Sequence, residues 1–386
     1  MLFVYPAMIT PSLISKEFPP QPDVIYLNHA AVSPWPRRST EAVHKFAEEN
    51  YQIGAKNYLA WLQIEEQTRS LLARLINAPS ADDIALLKNT SEGLSMIAYG
   101  LSWQDGDNIV IPKHEFPSNR VVWQSLAAQG VEIREVELHE QPNPEQALLQ
   151  STDRRTRLLS VSSVHYASGL RLHLAELGAY CRQHDILFCV DAIQSLGALD
   201  FDVQAVGADF VVADGHKWML GPEGVAVFYV RADLRPDLKL HEFGWHMLEQ
   251  AGDFLREDWQ VAATAKRFEC GSPNMLGIHA LHASLSLLLE AGIPQIETEI
   301  LERSCYLMEL IRGAPELHLL SRDAPDRISG IVTFAHSGTP ADTLYQQLMQ
   351  AGVICAARGG GVRFSPHFYI APPQLAQAVK LARLTC

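Results

Sequence analysis

At 386 residues, with 47% hydrophobic and 19% charged positions, the chain has the composition of a globular protein and is long for one core, so two domains are expected. Its formal net charge of −13 argues against nucleic acid or an anionic membrane as the main partner. The six cysteines (Cys181, Cys189, Cys270, Cys305, Cys355, Cys386) form no Cys-x-x-Cys pair and no metal-type spacing, which implies reduced thiols and a cytoplasmic protein.

Met1-Leu2-Phe3-Val4-Tyr5 is apolar, but it lacks a basic flank and Pro6 interrupts it, so it does not read as a secretory signal. No run approaches the roughly 20 apolar residues of a membrane span. Residues 1–25 hold five prolines (Pro6, Pro11, Pro19, Pro20, Pro22) and little periodicity, and read as an N-terminal arm. A helical pattern runs from about residue 38 to 77 through Val43, Phe46, Trp61, Ile64, Leu71, Leu72 and Leu75. Seven short apolar runs follow: Ile84–Leu87, Ile109–Ile111, Ile133–Val136, Leu158–Val161, Leu187–Val190, Phe210–Ala213 and Val225–Val230. Helical stretches such as Glu92–Gly100, Asn119–Gln129 and Ala175–His184 alternate with them.

That alternation predicts an α/β fold, a mostly parallel seven-stranded sheet covered by helices, over residues 26–265. After about residue 265 the pattern changes. Helices Gly277–Ala291 and Gln295–Gly313 precede Gly330–Phe334, the helix Ala341–Ala351, Ile354–Ala357 and Val362–Ser365. Residues 266–386 therefore read as a smaller α+β C-terminal domain.

Two strand ends carry the chemistry. Asp191 closes Ile186-Leu187-Phe188-Cys189-Val190, and Lys217 follows Asp209-Phe210-Val211-Val212-Ala213 in a turn containing Gly215, Gly221 and Gly224. Ligands of parallel sheets bind beyond such carboxyl ends. A buried lysine with a carboxylate beside it is what pyridoxal 5′-phosphate (PLP) needs. The lysine holds the cofactor aldehyde as a Schiff base, and the aspartate keeps the ring nitrogen protonated. Gln194, one turn beyond Asp191, is placed to donate to the ring's phenolate oxygen.

Other segments can complete such a site. Asn89-Thr90-Ser91-Glu92-Gly93 opens a helix, where free N–H groups with the Thr90 and Ser91 hydroxyls suit a phosphate and Ser91 reads as the N-cap. Phe116, after the strand Ile109–Ile111, can stack on a cofactor ring, and Tyr166 reaches the same crevice. Ser272 lies just before a long helix. Arg358 and Arg363 flank three glycines and suit a carboxylate, with Arg363 the stronger candidate.

With these residues the chain resembles the class V aminotransferase family of fold-type I PLP enzymes. That family includes cysteine desulfurases, selenocysteine lyases, kynureninases and isopenicillin N epimerase. The resemblance runs from Tyr26-Leu27-Asn28-His29-Ala30-Ala31 to Arg363-Phe364-Ser365. It implies that Lys217 carries the cofactor, Asp191 pairs with the ring nitrogen and Gln194 contacts the phenolate oxygen. It implies further that Ser91 and His216 bind the phosphate and that Phe116 stacks on the ring. Arg363 would hold the substrate α-carboxylate, with Asn28, His29 and Ala30 nearby. Ser272 would reach the cofactor phosphate of another subunit, which implies a homodimer with shared active sites. The implied activity acts on an amino acid through an external aldimine and α-proton abstraction by Lys217, leading to transamination, carbon–sulfur β-elimination or epimerisation.

There are departures from the family pattern. Desulfurases carry a cysteine on a loop upstream of the carboxylate arginine, whereas here Arg358 to Arg363 is a short glycine bridge and Cys355 reads as part of the strand Ile354–Ala357. A transaminase or carbon–sulfur lyase is therefore favoured over a persulfide-forming desulfurase. Asp214 stands where many relatives have a phosphate-binding serine, and as a carboxylate it is expected to turn away or bond a neighbour. Tyr369-Ile370 replaces the more usual Tyr-Asn. Two readings from other classes are a metal-dependent hydrolase built on His114, His165, His184 and His216, whose spacing matches no zinc pattern, and a catalytically silent PLP-fold binding protein.

Overall fold

In the computed structural model, which describes residues 9–384, four of the apolar runs form strands buried at every position: Ile84–Leu87, Asn108–Pro112, Phe210–Asp214 and Ala226–Val230. Met1–Tyr5 and Cys386 lie outside the described residues. Strands without a polar face need cover on both sides of their sheet. The seven-stranded sheet runs in the order Ile84–Leu87, Ala226–Val230, Phe210–Asp214, Leu187–Asp191, Thr156–Ser162, Asn108–Pro112, Glu132–Val136. Ala226–Val230 is antiparallel to both neighbours, and the remaining pairs are parallel. Glu132, Arg134 and Glu135 on the outermost strand keep that edge charged, which discourages pairing with another sheet. Because the central strands run the same way, Pro112, Ser162, Asp191 and Asp214 all emerge at one carboxyl edge.

Several elements differ from expectation. The helical pattern from 38 to 77 is two helices, Arg37–Ile53 and Tyr58–Leu75, broken at Gly54, whose φ of 55° ends the first. The stretch 119–129 divides into Ser118–Gln124 and a 3-10 segment, Ser125–Gln129. Within the proline-rich start, Pro11–Glu17 is a helix capped by Thr10, which accepts from the Leu13 N–H. Ile25–Tyr26 then pairs in parallel with Val353–Ile354, tying the start of the chain to its C-terminal part. Cys355 is not inside a strand but at the joint between Val353–Ile354 and Ala356–Arg358.

The C-terminal part carries a four-stranded antiparallel sheet, ordered Ala356–Arg358, Gly361–Phe364, Val332–His336, Leu317–Leu319. Its Gly359 and Gly360 have φ of 59° and 78°, the paired left-handed residues of a tight hairpin turn. The glycine run is therefore a turn; the pairing of Arg363 with Ala356 and of Arg358 with Gly361 puts both arginines on one face of the hairpin, Arg358 exposed at its tip and Arg363 buried further along.

Between Leu238 and Asn274 the chain has little regular structure, which periodicity alone could not describe. A buried ionic cluster anchors this segment. Arg69, on Tyr58–Leu75, bonds both Glu65 and Glu269, and Glu269 also accepts from the Leu86 N–H at 2.7 Å. His246 lies 3.5 Å from Glu65 and 3.6 Å from Glu269.

Candidate active site

Lys217 projects from the turn after Phe210–Asp214. The turn closes on itself through Gly215 N–H to Val225 O and Gly221 N–H to Gly215 O. A Cβ at Gly221 would meet Leu281 at 2.7 Å and the Gly215 carbonyl at 3.0 Å, so the packing demands glycine there. The lysine is only 7% exposed. Burial lowers its pKa to about 8, with Arg363 pushing the same way and Asp191 opposing. Its Nζ stands 5.5 Å from the centre of the Phe116 ring. Asp191 is buried at its strand end and accepts from the Ile193 N–H at 3.0 Å. Burial raises its carboxyl to about 6, while the Ile193 bond and the Lys217 charge draw it back.

Gln194 is a tie as well as a donor. Its Nε2 donates to Ala30 O at 3.1 Å, and its Oε1 accepts from Trp218 Nε1 at 2.8 Å. One amide proton is left for a ligand. The same contacts bring the segment around Asn28 to the crevice. His29 is fully buried, with Nδ1 at 2.8 Å from Ser365 O and Nε2 at 2.7 Å from Tyr369 Oη, so both its nitrogens are occupied. Ala30 N–H donates to Ser365 Oγ at 3.0 Å. Asn28 alone of the three touches Arg363, accepting from Nη2 at 3.4 Å.

Arg363 is 2% exposed and donates from Nη1 to Tyr166 O at 2.6 Å, while its Nε has no partner. Burial lowers its pKa to about 10, with Arg358 adding to the effect. Arg358 itself is exposed and bonds only Ala357 O, so the two arginines do not form one clamp. The Tyr166 ring stands edge-on to Phe116 at 5.4 Å, and a cavity of about 420 Å³ opens beside Tyr166, bounded by Glu115, Thr333 and Gly359.

At the start of the helix Thr90–Gly100 the N-cap is Asn89, not Ser91, because the Asn89 side chain accepts from the Glu92 N–H at 2.9 Å. Ser91 Oγ donates to Ser118 Oγ at 2.8 Å. Glu92 turns back to the Lys88 N–H and ammonium, at 2.6 and 2.8 Å. Asp214 accepts from the Thr90 N–H at 3.1 Å and stands 3.9 Å from His216 Nδ1, so it does bond a neighbour. Burial lowers the His216 pKa. Ser272 is exposed, within reach of Trp245 Nε1 at 3.4 Å, away from these groups.

The residues fit PLP. Among the described residues, Thr90 Oγ1 and His216 Nδ1 are buried polar atoms with no hydrogen-bond partner, as a phosphate site requires, and Arg363 Nε is a third, free for a carboxylate. The two carboxylate–imidazole groups among the described residues that could share a metal ion are Glu65, His246, Glu269 and Glu145, His173, Glu176. Neither includes His114, His165, His184 or His216, and in the first Arg69 already supplies the cation. Sequence reading missed Trp218, Ser365 and Glu115. None has a local signal, since each acts through a distant partner.

A family model, "Aminotransferase class-V", matches residues 25–370. A cysteine desulfurase of Klebsiella pneumoniae (strain 342) is 32% identical over 83% of this chain and 80% of its own length. The apo structure of a cysteine desulfurase from Thermococcus onnurineus NA1 superposes with a TM-score of 0.86, at 24% identity over 98% of each chain. A cystine C–S lyase in complex with its product, cysteine persulfide, superposes with a TM-score of 0.85 at 25% identity, over 92% of this chain and 97% of that one. Sequence, sheet order and crevice agree: the chain belongs to the aminotransferase class-V family and is a PLP-dependent enzyme of fold type I.

Proposed function

We propose that this enzyme eliminates a β-sulfur leaving group from a cysteine-type amino acid without passing the sulfur to a cysteine of its own. The observation that carries the reading is one crevice holding Lys217, its amine lowered by burial to about 8, against Asp191, with the unpartnered Arg363 Nε beside Tyr166. Relatives named cysteine desulfurase and cystine C–S lyase supply the sulfur.

PLP, when bound, supplies the electron sink. Lys217 would hold the cofactor and, as a free amine, would take the substrate α-proton. Asp191 would keep the ring nitrogen protonated, and Gln194 would donate a hydrogen bond from its remaining amide N–H to the phenolate oxygen. Thr90 Oγ1, Ser91 and His216 would hold the phosphate, and Phe116 would cover the ring. Arg363 holds the α-carboxylate beside Asn28.

Cys355 argues against desulfuration through an enzyme persulfide. It is 2% exposed in the small-sheet core, and burial pushes its thiol up to about 12, so the nucleophilic thiolate is absent at neutral pH. Cys355→Ala is expected to keep at least about half of turnover, since truncating a small side chain away from the reacting atoms leaves the barrier alone. Arg363→Ala is expected to lose about tenfold to a hundredfold in kcat/KM, mostly in KM, the worth of a charge-assisted carboxylate pair.

The deciding assay incubates the PLP-loaded enzyme with cysteine and with cystine, and follows pyruvate, ammonia and released sulfur. Stoichiometric pyruvate and ammonia with recovery of the resting spectrum support the proposal. Lasting conversion to pyridoxamine, or a persulfide trapped on Cys355, overturns it.

A second copy of the chain completes this reading. Phe254, Leu255 and Trp259 are exposed on the segment that carries Ser272, and a partner seated there would bring Ser272 to its own cofactor phosphate. The described cysteines are all unpaired, in keeping with a reducing cytoplasm.

A further inference from the structure

The chain leaves Asn108–Pro112 through a turn that has to be held in place. His114 has φ of 65°, a left-handed conformation that is strained for a non-glycine residue and persists only where neighbours enforce it. Three contacts enforce it. Lys113 N–H donates to Val136 O at 2.7 Å, and His165 Nε2 lies 3.1 Å from His114 O. The Glu115 carboxylate accepts both the N–H and the hydroxyl of Ser162, at 2.7 and 2.5 Å.

Glu115 is 3% exposed, so a buried carboxylate stands one residue before Phe116, and among the described residues no cation is bonded to it. Such a group is costly to bury unless its bonds do something. Burial lifts its carboxyl to about 7; the two Ser162 bonds draw it back, and the neighbouring Asp191 charge adds to the rise. Ser162 is the last residue of its strand and is in register with Asp191 on the next. The carboxylate thus links the strand ends at Ser162 and Asp191 to the turn that sets Phe116 beside Lys217.

We propose that Glu115 is a positioning residue for the face of the pyridoxal ring: its carboxylate, held by Ser162, fixes Phe116 beside Lys217. This rests on the placement of the ring against Phe116. A side chain that only filled space would act independently of Phe116, whereas a positioning residue acts through it.

The test uses the full-length PLP-loaded enzyme and two readouts, the PLP dissociation constant and the visible circular dichroism of the bound cofactor. Phe116→Ala is expected to weaken PLP by about tenfold, the upper worth of one ring stack, and to lose most of the dichroism. Glu115→Ala is expected to do the same, and the double variant to be no worse than Phe116→Ala alone. Glu115→Gln restores most of both signals, because its amide oxygen still accepts from Ser162. Should Glu115→Ala not fold, Ser162→Ala keeps the backbone donor and is expected to shift affinity about threefold in the same direction. Additive losses in the double variant, or no shift in Ser162→Ala, overturn the role of Glu115 while leaving Phe116 in place. Unchanged dichroism in Phe116→Ala overturns the ring placement and this inference with it.

Discussion

Lys217→Ala is expected to lose turnover by about a thousandfold or more, because one substitution removes both the covalent hold on PLP and the general base, and the base alone is worth on the order of a hundredfold to ten-thousandfold. Borohydride reduction of the parent enzyme followed by peptide mapping should place the pyridoxyl label on Lys217, and label on any other lysine sinks the assignment. The pH dependence follows from burial. The Lys217 amine, lowered to about 8, is protonated below that pH and neutral above it. Cofactor capture by the apoenzyme needs the neutral amine. Its rate should therefore climb about tenfold per unit toward pH 8 and flatten above it. A climb continuing to the ordinary lysine range would show that the amine is hydrated, contrary to its burial.

Asp191→Asn is expected to lose about a hundredfold or more in kcat while PLP affinity falls far less. The phosphate contacts proposed for Thr90, Ser91 and His216 would be untouched, but an amide cannot hold the ring nitrogen protonated, and a stabilising charge removed from the reacting centre typically costs that much. The asparagine can still accept from the Ile193 N–H, so the strand end keeps its shape. Steady-state kinetics beside a PLP titration separates the two effects. Near-normal turnover would reduce Asp191 to a strand-end residue.

Much of this was legible from local pattern. Ile109–Ile111, Phe210–Ala213 and Ala226–Val230 are unbroken apolar runs because both sheet faces are covered, and that burial is written residue by residue. The regions that deceived the pattern are those where one glycine or a charge network decides. Gly54 splits one helical pattern into two helices, and the Arg69–Glu65–Glu269 cluster anchors a segment with no periodicity.

The site divides in the same way. The placement of Asp191, Gln194, His216 and Lys217 at one edge was readable by sequence alone, since each sits at or just after a strand end and chain direction sends all such ends to one edge. Tertiary structure decided the rest. His29 is consumed by Ser365, 336 positions away, and by Tyr369, so its imidazole does not face the crevice as a free group. Arg363 is favoured over Arg358 along the chain, and the fold separates them by depth: Arg358 is exposed at the tip of the two-glycine turn, and Arg363 is buried further along the same face. Asp214 answers a helix end more than a hundred residues earlier, and Glu115 answers Ser162 on another strand. Period and propensity encode how one element meets the core, whereas a hydrogen bond between distant elements exists only once both have docked.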